Sequence, residues 1–124
     1  MRILLTGGTG LLGAELQKID AQLVAPTRDQ LDIRDADAVA DYVSSVRPDV
    51  ILHAAAVTDN REIEADPDGA IHVNIIGTAN LARACLGTRI RLVYLSTDYV
   101  YRGDRGRYVE DDELQPGNLY AWTK

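Results

Sequence analysis

The apolar run Ile3-Leu4-Leu5 breaks directly into Thr6-Gly7-Gly8-Thr9-Gly10-Leu11-Leu12-Gly13, and few folds accommodate that order of events. Strand character, a glycine turn and the start of a helix follow one another without a spacer. Gly7 stands where a backbone conformation closed to Cβ-bearing residues is useful. Gly10 leaves the backbone open to a pyrophosphate, and Gly13 lets the helix lie close to the strand. The unpaired N–H groups and the dipole at the start of that helix favour an anion. The spacing predicts a dinucleotide-binding loop made by Gly7, Thr9, Gly10, Leu11, Leu12 and Gly13.

The rest of the chain repeats strand and helix signals. Leu12, Leu16 and Ile19 predict a helix over 11–20 with that face inward. Gln22–Ala25 reads as a second strand, ended by Pro26. An acidic residue at the tip of this strand would accept the adenosine ribose, whereas an arginine accommodates a 2′-phosphate. The tip here is Thr27-Arg28, which favours NADP, with NAD as the alternative. Asp32 and Ile33 fall near the adenine edge, although Asp32 reads equally well as a turn residue. Asp35 is placed as a helix N-cap, and Val39, Tyr42, Val43 and Val46 form an inward stripe that closes at Arg47-Pro48. Val50–Ala56 is a third strand. Its end, Ala54-Ala55-Ala56, leaves room for a flat ligand where doubly wound sheets bind ligands, and His53 before it reads as structural.

Residues 57–66 read as a loop or short helix, and Asp66-Pro67 opens a long helix. There Ile71, Ile75, Ala79, Ala82 and Leu86 predict the core stripe, with Asn74 and Thr78 in a row beside it, and Gly87 as the stop. Arg89–Leu95 is a fourth strand that delivers Ser96-Thr97-Asp98. The segment 101–119 is turn-rich. The expected fold is α/β, a doubly wound parallel sheet in one domain over 1–124. Its strands lie near 2–6, 22–25, 49–54 and 90–96, in the order 3-2-1-4.

A net charge of −6 argues against nucleic acid or an anionic membrane as partner. No apolar run approaches the ~18 residues that a membrane span needs. The short run after Met1-Arg2 stops too soon for a leader, and a cytoplasmic location is expected. The single Cys85 reads as a small buried hydrophobe. At the far end, Tyr120-Ala121-Trp122-Thr123-Lys124 places a phenol and an ammonium four residues apart, on one helix face. That pairing predicts a phenol pKa lowered by the lysine, a lysine able to hold the nicotinamide ribose, and Thr97 able to bind the same carbonyl oxygen as Tyr120. No metal-ligand set is read.

These segments together resemble the extended short-chain dehydrogenase/reductases. Residues 6–13 match the Thr-Gly-x-x-Gly-x-x-Gly loop of that family, His53-Ala54-Ala55-Ala56 its strand-end motif, and Asn74–Leu81 its central helix. Within it, Ser96-Thr97-Asp98-Tyr99-Val100-Tyr101 and the glycines, tyrosines and acids up to Tyr120 resemble the dTDP-4-dehydrorhamnose reductases. The resemblance implies an NADP-dependent oxidoreductase of dTDP-rhamnose biosynthesis that reduces the C4 ketone of a nucleotide-activated 4-keto-6-deoxy sugar. It implies Thr97, Tyr120 and Lys124 as catalytic, with Asp98 holding the sugar. Asn74, Tyr120 and Lys124 would join Arg28, Asp32, Ile33 and Ala54–Ala56 around the cofactor. A nucleotide-sugar epimerase or 4,6-dehydratase, and a non-catalytic dinucleotide-binding subunit, are the alternatives. Asp98-Tyr99 departs from the Asp-Glu pair of dehydratases. Glu64 matches a glutamate of a metal-assisted homodimer contact, but Arg61 replaces an aspartate there, and Ala121 replaces a glycine. The family continues for a comparable length again. The implied substrate-binding portion is therefore absent from these 124 residues, which are expected to be inactive alone, with residues after about 100 the most mobile.

Overall fold

In the computed structural model, which describes residues 1–124, three parallel strands lie in the order β1 (Ile3–Thr6), β2 (Val50–His53), β3 (Arg91–Tyr94). The expected second strand is reduced to one parallel bridge at Val24, on the free edge of β1. Leu5 N–H donates to Val24 O (2.8 Å) and Val24 N–H to Ile3 O (3.0 Å). In the numbering of the four expected strands the order is therefore 2-1-3-4, not 3-2-1-4. Both orders keep right-handed crossovers, so handedness does not choose between them. The second connection chooses. Residues 27–35 form no strand and lead straight to Asp35, whose carboxylate accepts from the N–H groups of Asp37 and Ala38 and starts α2 (Ala36–Val46). That helix packs beside α5 (Thr78–Cys85), so the next strand lands on the far side of β1. The sheet is the expected parallel α/β sheet with this one change of order.

The core lies between the sheet and the pair α2 and α5: Leu4, Leu31, Ile33, Val39, Val43, Ile51 and Leu81 are all buried there, with Tyr42 and Cys85 packed against them. Burial also pushes the Cys85 thiol pKa up, as suits a packing residue.

Two helical stripes do not point where their hydropathy suggests. α1 (Leu11–Ile19) buries only Gly13, while Leu12 and Ile19 are 49% and 83% exposed. Its contact line is Gly13 and Gln17, whose amide donates to Gly8 O (2.7 Å) and Gly13 O (3.1 Å). The long helix runs as α4 (Pro67–Ile71), a π-helical turn (His72–Gly77) and α5. Here the apolar row Ile71, Ile75, Ala79, Ala82, Leu86 faces outward, and the buried row is Ala70, Asn74, Gly77, Asn80 and Leu81. The inward row is small and amidic because it comes very close to its neighbours. A side chain on Gly77 would meet Ile33 Cδ1 at 2.7 Å, and the Asn80 amide donates to the carbonyls of Ile33 (3.0 Å) and Arg34 (3.1 Å). A buried amide with its hydrogen bonds made is no penalty, so polarity does not push this face outward. α3 (Asn60–Ala65) and a 3₁₀ turn (Asp98–Val100) lie at the strand ends, and α6 (Leu119–Trp122) follows the turn-rich segment.

Candidate functional site

A cleft of about 360 Å³ opens at the C-terminal ends of β1 and β2. Gly7, Thr9, Gly10, Arg28, Asp32, Ile33, Ala54, Ala55 and Ala56 line it. Gly7 has φ +78°, and a Cβ there would come within 2.5 Å of Ala55 N. The glycine turn thus rests directly on the backbone of the alanine patch, and the two motifs become one wall. A Cβ on Gly13 would overlap Gly7 O, which is how α1 comes to start at the cleft floor with Leu11 and Leu12 in its first turn.

The electrostatics of that start differ from every Asp-capped helix in the chain. The first turns of α2, α3 and α4 are capped by Asp35, Asp59 and Asp66, and each carries a further acid. α1 has Gly10 at its N-cap, no side-chain cap and no acid in its first turn. Its N–H groups therefore remain available to an anion. On the adenine side, Asp32 is not a free acceptor. Arg34 donates to it from Nε (2.9 and 3.0 Å) and Nη2 (2.5 Å), and this pairing holds the Asp32 carboxyl down at about 2. Arg28, also on the cleft wall, forms none of the salt bridges in the structure. Val57, Thr58, Asp59 and Glu62 complete the wall. Val57 and Thr58 lie in the loop after β2, Asp59 caps α3 and Glu62 stands in its first turn; no sequence motif marks them.

Thr97, Asp98 and Tyr120 gather in a second corner, at the end of β3, and Lys124 stands apart from them over Tyr94. Thr97 caps the 3₁₀ turn, accepting from Tyr99 N–H (3.3 Å), and its hydroxyl lies 3.4 Å from Asp98 Oδ1. Tyr120 sits on α6, edge-on to Tyr99 with ring centroids 6.3 Å apart. The Asn118 carboxamide caps this one-turn helix at Ala121 N–H (2.8 Å). Burial pushes the Tyr120 phenol up, the Thr97 hydroxyl opposes the rise, and Asp98 adds to it. This reverses the expected lowering, because Lys124 does not bear on Tyr120. Its ammonium lies instead over the ring of Tyr94, 4.2 Å from the centroid, and burial lowers its pKa.

Asn74 joins the two regions without lining the cleft. Its side chain is buried, with Oδ1 accepting from Val57 N–H (2.8 Å) and Nδ2 donating to Val57 O (2.9 Å) and Thr123 Oγ1 (2.8 Å). Val57, which it holds, lines the cleft. The π-helical turn that carries it is a common signature of functional sites. His53 is buried below: Thr6 Oγ1 is 2.7 Å from Nδ1 and Thr78 Oγ1 2.9 Å from Nε2. Thr78 gives its only proton to Asn74 O (2.6 Å). It must therefore accept from Nε2–H, and Thr6 donates to Nδ1. Burial, with Lys124 adding to it, lowers the His53 pKa from 6.5 to about 4.

The chain is similar in sequence and in fold to known proteins. Methionine adenosyltransferase 2 subunit beta of Rattus norvegicus is 35% identical over 134 residues, covering 99% of this chain and 40% of its own length. dTDP-4-dehydrorhamnose reductase of Streptomyces griseus is 41% identical over 128 residues, covering 99% of this chain and 42% of its own. The crystal structure of dTDP-4-dehydrorhamnose reductase from Bacillus anthracis in complex with NADP superposes with a TM-score of 0.91 at 35% identity, covering 98% of this chain and 45% of that one. The chain thus spans less than half the length of the relatives it matches. Along its whole length, residues 1–124, it matches the family described as RmlD substrate binding domain, and it belongs to that family.

Proposed function

We propose that this chain is the cofactor-binding half of an NADP-dependent reductase that acts on the C4 ketone of a nucleotide-activated 4-keto-6-deoxy sugar. The observation that carries the reading is the meeting of Thr97, Asp98 and Tyr120 at the end of β3, beside a cleft floored by an uncapped helix start. The cleft fits a dinucleotide. Gly7–Gly13 would hold the pyrophosphate, Ala54–Ala56 give a flat wall, and Arg28 would meet a 2′-phosphate while Arg34 neutralises Asp32.

The bound nicotinamide would supply the hydride. Tyr120 would give its proton to the C4 oxygen; the phenol is protonated at neutral pH, and the rise that burial imposes makes it a weaker acid than a free phenol. The Thr97 hydroxyl would hold the same oxygen, Asp98 a sugar hydroxyl, and Lys124 the nicotinamide ribose. Residues 1–124 alone would bind cofactor without turning over sugar. These residues span less than half the length of the relatives, and misplaced reacting groups lose orders of magnitude in rate.

Titration with NADPH and NADH tests the cofactor reading: Arg28→Ala should weaken NADPH roughly tenfold and leave NADH unchanged. NADPH oxidation with a dTDP-4-keto-6-deoxyhexose, followed on this chain and on one of full family length, tests the rest. Turnover that survives Tyr120→Phe in the long chain would overturn the role of Tyr120. The relative named as a subunit of methionine adenosyltransferase favours a second reading, a non-catalytic dinucleotide-binding subunit. NADPH binding without oxidation in the long chain would select it.

A further inference from the structure

The ammonium of Lys124 is seated on an aromatic column. Its Nζ lies 4.2 Å from the centroid of the Tyr94 ring. Behind that ring is the imidazole of His53, with centroids 5.5 Å apart and planes 30° apart. His53 in turn cannot rotate without losing Thr6 or Thr78, which hold its two nitrogens at 2.7 and 2.9 Å. The column runs from β1 through β2 and β3 to the residue that follows α6 and its cap. An ammonium is drawn to the negative face of an aromatic ring, most strongly where water is excluded, and Lys124 and Tyr94 are both partly buried.

We propose that Tyr94 is a positioning residue for Lys124: its ring face seats the ammonium, and His53, pinned between Thr6 and Thr78, backs the ring. The side chain then takes its place from β3, which carries Tyr94. This rests on the reading of Lys124 as a cofactor-holding residue. The seat itself is a statement about this chain alone and is testable without turnover.

The chain holds only two lysines, Lys18 and Lys124, and Lys18 is exposed and paired with Glu15. Selective ¹³C labelling of lysine therefore gives two ε-methylene signals, with Lys18 as internal reference. The Lys124 ε-protons should lie upfield of those of Lys18 through the ring current of Tyr94. The displacement should vanish in Tyr94→Leu and persist in Tyr94→Phe, which keeps the ring. Coincident Lys signals in the native chain, or a displacement that survives Tyr94→Leu, would overturn the seat. NADPH titration then reads its consequence. Lys124→Met and Tyr94→Leu should each weaken binding by roughly three- to tenfold, and the double variant no more than either alone. Weakening by Lys124→Met with none by Tyr94→Leu would overturn the positioning role. An upfield Lys124 signal with NADPH affinity untouched by Lys124→Met would uphold the seat and remove the cofactor role of Lys124.

Discussion

The nucleotide cleft and the Tyr120 corner lie side by side, yet they are built on different principles. The cleft is made of backbone. Gly7 rests on Ala54–Ala55, Gly13 on Gly7, and the anion site is a row of main-chain N–H groups that no side chain caps. The corner is made of side chains from separate elements. Thr97 comes from the end of β3, Tyr120 from a one-turn helix and Lys124 from beyond it, held by the Asn74–Thr123 bond, the Asn118 cap and the face of Tyr94. A site made of backbone tolerates no added atom. A site made of side chains loses function one contact at a time.

The sharpest way to break this contrast is at Gly13. Gly13→Val forces a branched side chain into Gly7 O and the Gly8 backbone. It should cost about 3 kcal/mol or more of stability and abolish NADPH binding, read by urea unfolding and by titration. Unchanged binding would show that the cleft is not sterically fixed.

The next effect is that of pH on the layer beneath both regions. His53 is held neutral, its pKa lowered from 6.5 to about 4. Between those values the unfolded chain binds the proton and the folded chain does not. Stability from this group is therefore complete above pH 6.5 and is lost as pH falls towards 4, by on the order of 3 kcal/mol. Urea unfolding at pH 7 and pH 4.5 reads it, and His53→Asn should remove this part of the slope. Below it, Asp32 titrates in a separate window from 3.8 down to about 2, with a smaller effect because the pair is at the surface.

Asn74→Leu should uncouple the regions. It leaves the Val57 N–H and C=O without their partner and frees Thr123. A loss of about 1–3 kcal/mol is expected, with α6 amides exchanging faster while those of β1 keep their protection. Equal loss of protection across both would show one cooperative unit.

The smallest effect is expected at the corner itself. Tyr120→Phe removes a hydroxyl that no other residue needs for folding and should change stability by less than about 0.5 kcal/mol, with NADPH affinity held within about twofold. A large loss of either would make Tyr120 structural.

Sequence by itself determined the features that depend on local backbone chemistry. The glycine spacing requires a strand, a turn and a helix whatever surrounds them, and Asp35 and Asp66-Pro67 start helices because a carboxylate satisfies N–H groups two or three residues on. The three main strands were legible for the same reason. Tertiary structure alone decided which side of β1 the later strands occupy, because right-handed crossovers permit both. It decided that Asn74, Gly77 and Asn80 face inward while Ile71 and Ile75 face out, because close approach and completed hydrogen bonds outweigh hydropathy where helix meets loop. It also decided where Lys124 points. An i, i+4 spacing puts two residues on one face of a helix, but which partner a long flexible cation reaches depends on what the sheet offers there, and here the sheet offers Tyr94.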